Sequence, residues 1–242
     1  MKEGNIVKAV ILAAGKGSRL DSFPVSKPLC LVNGRALIEW VILAAHQAGI
    51  LDFVVVTGHA REQLERHLAD FSRGRNFSVT FVPNADWEGE NGLSVCAASD
   101  SVGERFVLLM SDHIFDTEIL TRLIAQPLDD VDLVLAVDYQ ILDHPTVELD
   151  DVTRVLVENG RISKIGKGLP AYNAFDTGIF FCTSALFAAL RESQRRGDLS
   201  LTGGVRVLTE RRRAGAMNIF GGFWIDVDDE RSLQKAVVLA TP

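Results

Sequence analysis

The run Val7-Lys8-Ala9-Val10-Ile11-Leu12 is apolar at all but one position and passes directly into Ala13-Ala14-Gly15-Lys16-Gly17-Ser18-Arg19. A nearly continuous apolar run reads as a strand covered on both faces, and such strands belong to sheets with helices on each side. The segment that follows is small and bears glycines, so backbone N–H groups approach a ligand with no side chain in the way. A turn of that kind after a buried strand is a natural phosphate cradle. Arg19 adds a fork of donors for phosphate oxygens, and Lys27 a mobile point charge a few residues on. Two cations beside a bare backbone loop point to a polyphosphate rather than one carboxylate. Leu20 stands where the dinucleotide fingerprint needs its third glycine, and no Walker-type G-K-[ST] follows. Taken alone, the loop also fits an ordinary strand-to-helix turn.

Downstream the chain alternates strand and helix patterns. Residues 36–48 read as a helix stopped by Gly49, Phe53–Thr57 as a strand, 61–70 as a charged helix, and Phe77–Val82 as a strand. Asn84–Gly92 is loop chemistry before a short helix at Leu93–Ser99, and Arg105–Met110 is a fourth strand. This interval predicts βαβ units and a mainly parallel sheet with helices on both faces. The texture changes after about Gln126. Leu133–Val137 is one more strand, and residues 152–165 form a hairpin around Asn159-Gly160, a type I′ turn signal. Thr177–Cys182 is a strand, Ala185–Glu192 a helix, and 197–210 is ambiguous, with helix from Thr202 onward. Met217–Phe220 and Phe223–Val227 read as closing strands, and Glu230–Leu239 as a last helix. No linker, repeat or low-complexity tract divides the chain. The expectation is one domain, residues 1–126 forming one half of it and 127–242 the other.

At 242 residues, with 47% apolar and 24% charged content, the chain reads as soluble and globular with a sizeable core. Its net charge of −7 disfavours a nucleic-acid or anionic-membrane binder. Cys30, Cys96 and Cys182 are odd in number, far apart and set in apolar runs, as expected of reduced thiols in a cytoplasmic protein. The N-terminus lacks signal-peptide organisation, and no run has the length of a membrane span.

Asp112 follows the apolar run Phe106–Met110, at the carboxyl end of a predicted central strand, where open α/β sheets bind ligands. A carboxylate there is either a helix N-cap or a metal ligand. Asp226 has a similar setting, with Asp228 or Asp229 as cap of the last helix. Two carboxylates from separate strand ends suit Mg²⁺, which completes its shell with phosphate and water. His113 has no histidine or cysteine partner at zinc spacing, so a structural or supporting role is expected of it.

L-A-A-G-K-G-S-R-L at 12–20 followed by Lys27-Pro28-Leu29 resembles the signature of the sugar-phosphate nucleotidyltransferase superfamily, with Ser26 where that pattern often has proline. Further segments, G-E-N-G-L-S at 89–94, L-L-M-S-D-H-I-F at 108–115, K-I-G-K-G-L at 164–169, D-T-G-I-F at 176–180 and W-I-D-V-D at 224–228, resemble CTP:inositol-1-phosphate cytidylyltransferases. Relatives acting on phosphocholine or phosphonates share much of this grammar. The resemblance implies an α/β fold of the nucleotide-diphospho-sugar transferase type, a Rossmann-like three-layer sandwich with a mainly parallel mixed central sheet. Residues 1–126 would be its nucleotide-binding half and 127–242 its acceptor-binding half. It implies that the backbone of Ala13, Ala14, Gly15, Gly17 and Ser18 holds base and triphosphate. Arg19 and Lys27 would act on the phosphates, and Asn91, Gly92 and Ser94 would lie near base and ribose. Asp112 and Asp226 would bind Mg²⁺, and Lys167, Asp176 and Thr177 would line an acceptor pocket. Turn capping competes with acceptor recognition at Asp176.

The chemistry implied is attack by an acceptor phosphate oxygen on the α-phosphorus of CTP, with pyrophosphate leaving. The partners are then CTP and a small phosphorylated acceptor, with no nucleic acid and no membrane insertion by this chain. A homodimer and a fusion to a membrane synthase both stay open. Other readings are nucleotidyl transfer to phosphocholine, a phosphonate or a sugar 1-phosphate, a non-catalytic nucleotide-sensing module, and a dehydrogenase misread from the glycine loop.

Overall fold

The computed structural model describes residues 7–17 and 26–240; Ser18 and Arg19 lie outside the described residues. The first half supplies β1 (Lys8–Ala13), the ribbon β2 (Leu31–Val32) and β3 (Arg35–Ala36), α1 (Leu37–Gln47), β4 (Asp52–Thr57), α2 (Arg61–Ser72), β5 (Ser78–Pro83), α3 (Asn91–Ala97) and β6 (Arg105–Met110). Then come β7 (His113–Phe115), α4 (Thr117–Ile124), β8 (Leu133–Asp138), the hairpin β9 (Arg154–Glu158) and β10 (Arg161–Gly166), and β11 (Ala174–Thr183). The chain closes with α5 (Ala185–Arg195), α6 (Leu201–Glu210), β12 (Ala214–Asn218), β13 (Trp224–Asp226) and α7 (Glu230–Leu239).

Nine strands form one sheet in the order β5-β4-β1-β6-β11-β8-β12-β10-β9. Strands β5, β4, β1 and β6 are mutually parallel. Strand β11 enters antiparallel between β6 and β8, so the sheet is mixed. Side-chain alternation splits each central strand between two layers. Ala9, Ile11, Phe53, Val55, Val107 and Leu109 pack on one face with α1, α2 and α4. Val10, Leu12, Val54, Val56, Phe106 and Leu108 pack on the other with α3, α5 and α6. Burial on both faces is the physical reason β1 carries almost no polar residue. The architecture is therefore three layered, as the resemblance implies.

Asn159 (φ 52°) and Gly160 (φ 72°) both adopt the left-handed conformation of a type I′ turn in the β9–β10 hairpin. Several boundaries differ from the sequence reading. The predicted strand Met217–Phe220 is β12 at Ala214–Asn218, because Phe220 turns left-handed at φ 55° and ends the extended run. The predicted closing strand at 223–227 is β13, which pairs with β7 rather than with the main sheet. Neither β7 nor α4 was predicted: β7 is only three residues long and α4 eight, too short for a clear period. The loop assigned to Asn84–Gly92 ends earlier, with α3 starting at Asn91.

Candidate active site

Because β5, β4, β1 and β6 run parallel, their carboxyl ends meet at one edge of the sheet, where such sheets bind ligands. The segments leaving them are tied together. His59 N–H donates to Ala14 O at 2.9 Å, Asn84 N–H to Thr57 O at 2.7 Å, and Ser111 N–H to Leu12 O at 3.2 Å. Gly58 sits so close that a Cβ would lie 2.7 Å from Ala14 O and 2.5 Å from the Trp87 Cβ. Gly58, Gln63, Asn84 and Trp87 border an open recess beside these ends.

Lys27 occupies the first position of a short 3₁₀ turn, Lys27–Leu29, and is only 8% exposed. Its stem passes over Gly17 (φ 67°), where a Cβ would stand 2.5 Å from Lys27 Cβ. Gly17 is thus required by both its dihedral and the lysine beside it. The Lys27 ammonium is bound by Asp112 Oδ2 at 2.5 Å and by Asp228. Burial alone would depress the lysine's pKa, but the carboxylates of Asp112, Asp226 and Asp228 outweigh it and hold the group well above its ordinary range. Lys27 in turn, with His113, holds Asp112 well below the usual carboxylate range against the opposing effect of burial.

His113 Nδ1 lies 2.8 Å from Asp112 Oδ1 and 3.7 Å from Asp226 Oδ1. Burial opposes its protonation, yet Asp226, Asp112 and Asp228 raise it to about 9. Asp226 is the converse case. Burial pushes it up to about 7, with Asp112 and Asp228 adding to the rise against His113 and Lys27. Its Oδ1 is buried with no hydrogen-bond partner. Ligand atoms of Asp112, His113 and Asp226 all lie within 4.8 Å of one another. An orphaned carboxylate oxygen beside a second carboxylate is a hard donor set that fits a divalent cation such as Mg²⁺.

A cavity of about 430 Å³ is bordered by Asp112, His113, Asp176, Asp226 and Asp228. The irregular segment 146–153 forms another wall, bringing Glu148, Asp150 and Asp151. Strand β11 bulges between Asp176 and Phe180. There Gly178 (φ 74°) lets the His113 ring approach, for a Cβ would be 2.7 Å from it. Asp176 Oδ1 accepts from Gly178 N–H at 2.8 Å, and burial pushes its carboxyl up to about 6 against that bond and His113.

The other candidates divide. Lys167 borders the cavity just after β10 and is paired with Asp151. Asn91 borders it too, and its Oδ1 accepts from Leu201 N–H at 2.8 Å, so it also anchors the start of α6. Thr177 does not face the cavity: it is fully buried and its hydroxyl donates to Ala136 O at 2.8 Å. Alternation explains the correction, since it points opposite to Asp176. Gly92 packs a helix, with a Cβ there falling 2.4 Å from Leu199 O. Ser94 is buried beneath the recess and accepts from Asn84 Nδ2 at 3.0 Å. The α7 cap is Asp229, whose carboxylate accepts from Ser232 N–H at 2.7 Å. Asp228 belongs to the lysine cluster instead. Its signal was the two-residue spacing from Asp226 in Trp224-Ile225-Asp226-Val227-Asp228, which puts both carboxylates on one side of an extended segment. The acidic wall at 148–151 was overlooked because no periodic element carries it there.

Comparison with known proteins agrees with this architecture. The "Bifunctional IPC transferase and DIPP synthase" of Rubrobacter xylanophilus is 35% identical over 230 residues, covering 94% of this chain and 50% of that protein. The protein of the same name from Aquifex aeolicus is 32% identical over 230 residues, with 94% and 50% covered. The chain thus spans about half the length of these curated relatives. The structure of the inositol-1-phosphate CTP transferase from T. maritima shares the fold, with a TM-score of 0.84 over 99% of each chain at 24% identity. Residues 9–165 match the MobA-like NTP transferase domain, and the chain belongs to that nucleotidyltransferase family.

Proposed function

We propose that this chain transfers CMP from CTP to inositol 1-phosphate, giving CDP-inositol and pyrophosphate. The observation that carries the reading is the cluster of Lys27, Asp112, Asp226 and Asp228, whose three carboxylates border the cavity. We assign the triphosphate to the backbone of Ala13, Ala14, Gly15, Gly17 and Ser18 with Arg19, and the acceptor to the cavity beside Lys167 and Asp176. An acceptor phosphate oxygen forms a bond to the α-phosphorus while the bond to the β-phosphate oxygen breaks and pyrophosphate departs. The nucleophile is already an anion, so no proton has to be removed. What the chain must supply is alignment and charge neutralisation between two anions. An ammonium has three donors, so Lys27 keeps Asp112 and Asp228 and still offers one N–H to a phosphate oxygen. Asp112 and Asp226 would hold the divalent cation, for which we assign Mg²⁺; when bound it supplies further neutralisation of the phosphates.

A cavity of about 430 Å³ suits a small phosphorylated ligand. Its acidic wall accepts hydrogen bonds from polyol hydroxyls, and the same wall favours a second reading, an acceptor with a cationic head such as phosphocholine or an aminophosphonate. A cytoplasmic setting and a fusion partner that carries the product onward belong to this proposal. Among the described residues no helix is long and apolar enough to cross a membrane. The test is pyrophosphate release with Mg²⁺, crossing CTP, UTP, GTP and dTTP with inositol 1-phosphate, phosphocholine, aminoethylphosphonate and glucose 1-phosphate. Release confined to CTP with inositol 1-phosphate is expected. Release with phosphocholine instead moves the assignment to the second reading, and CTP binding without release to any acceptor favours a sensing module.

A further inference from the structure

Between the end of β8 and the start of β9 the chain runs from Tyr139 to Thr153 without regular structure, yet its second half forms one wall of the cavity. A segment with no ladder of its own must be held by side chains. Arg154, Lys167 and Lys235 hold residues 148–151, and His144, whose ring is 7% exposed, holds the turn before them. His144 Nε2 lies 2.8 Å from Asp138 Oδ2, and the same oxygen accepts from Trp224 Nε1 at 2.8 Å. The other oxygen of Asp138 accepts from Gln140 N–H at 2.8 Å. On the opposite edge of the ring, Nδ1 accepts from the backbone N–H groups of Thr146 and Val147, each at 3.3 Å. The Thr146 hydroxyl lies 3.1 Å from the same nitrogen, so the two edges of the ring tie Asp138 to the 144–147 turn. The Thr146 hydroxyl then donates to Trp224 O at 3.0 Å, closing the ring of bonds on β13. Beyond it Glu148 is held by Lys235 of α7 at 2.7 Å.

We propose that His144 is a positioning residue for the acceptor: it pins the 139–153 segment to Asp138 and β13 and so sets the cavity wall that carries Glu148 and Asp151, the latter paired with Lys167. The inference rests on the reading that this cavity takes the acceptor. A residue holding that wall affects binding of one substrate and leaves the strand-end recess alone. A residue needed only for stability lowers both activities together, or neither.

The experiment measures steady-state kinetics of His144→Ala, His144→Asn and Thr146→Val, with CTP and inositol 1-phosphate varied in turn. His144→Ala is expected to raise the acceptor KM about tenfold while the CTP KM and kcat stay within about threefold. His144→Asn keeps an acceptor near the Nδ1 position and is expected to recover part of the loss. Thr146→Val removes one bond and is expected to shift acceptor KM in the same direction by less. A second readout needs no turnover: a Glu-specific protease should cut at Glu148 faster in His144→Ala than in the wild type. Equal rises in both KM values, an unchanged acceptor KM, or unchanged cleavage at Glu148 would overturn the proposal. A wild type inactive toward every acceptor would overturn the functional reading instead, and the cleavage comparison would still decide whether His144 pins the 139–153 segment.

Discussion

Lys27 balances the charge of an acidic cluster, and under the proposed function the same ammonium meets a phosphate. Its buried ammonium is the counter-ion of Asp112 and Asp228, two half-buried carboxylates. Removing it would do more than delete the proposed phosphate contact, because it leaves half-buried carboxylates facing one another. Lys27→Ala is therefore expected to lower stability by roughly 3 kcal/mol as well as to lower turnover by orders of magnitude. Mg²⁺ should recover more of the melting temperature in this variant than it adds to the wild type, since it relieves the same repulsion. Thermal melts with and without Mg²⁺ check this; equal metal shifts in the two proteins would contradict it. Asp226 makes the complementary case. Asp226→Asn removes the charge at the orphaned oxygen and is expected to weaken divalent-metal binding severely, read by Mn²⁺ EPR titration with the fold intact. Asp176 supplies a signed pH effect. Its carboxyl is raised from 3.8 to about 6 by burial, so the neutral form is the one the fold prefers. Below about pH 4 the group is neutral folded and unfolded and costs nothing. As pH rises through 6 that stability is lost. Asp176→Asn should gain on the wild type over this window by on the order of 2 kcal/mol, allowing for solvent screening. Denaturant midpoints at pH 4 and pH 8 test it, and a pH-independent difference would refute it.

At the scale of elements, close backbone approach decides what periodicity leaves open. Gly92 sits inside α3, where alanine would be favoured by about 1 kcal/mol on helix propensity alone. A Cβ there would stand 2.4 Å from Leu199 O at the entry to α6, so overlap wins. Gly92→Ala is expected to destabilise by about 1–3 kcal/mol, measured as a lower urea midpoint; a higher midpoint would show that α6 moves aside freely. The same kind of contact explains what the sequence reading reached and what it missed. The helices at α1 and α7 and the β9–β10 hairpin were legible because caps, apolar stripes and Asn159-Gly160 are local signals. Strand β7 and its pairing with the predicted strand β13 were not, because short strands that pair only with each other gain their stability from a partner over a hundred residues away. Thr177 was misassigned for a related reason: the motif places it beside Asp176, while the pleat turns it to the other face of the sheet.

Across the whole molecule, a sheet assembled from both halves of the chain organises the site. The four parallel strands of the first half bring Ala14, Gly58, Asn84 and Asp112 to one edge, and that much follows from apolar runs ending in small or acidic residues. The insertion of β11 between β6 and β8 then carries Asp176 to the same edge. The β7–β13 pairing brings Asp226 beside His113 and Asp112. Those long-range placements are set by strand order, which composition and spacing do not encode locally. Under the proposed function, this edge joins two phosphates. ³¹P NMR of the reaction of the protein with CTP, inositol 1-phosphate and Mg²⁺ tests it. A pair of coupled diphosphate resonances from a cytidine-linked inositol product, growing in step with pyrophosphate, is expected. CMP accumulating with pyrophosphate while inositol 1-phosphate remains untouched would contradict it.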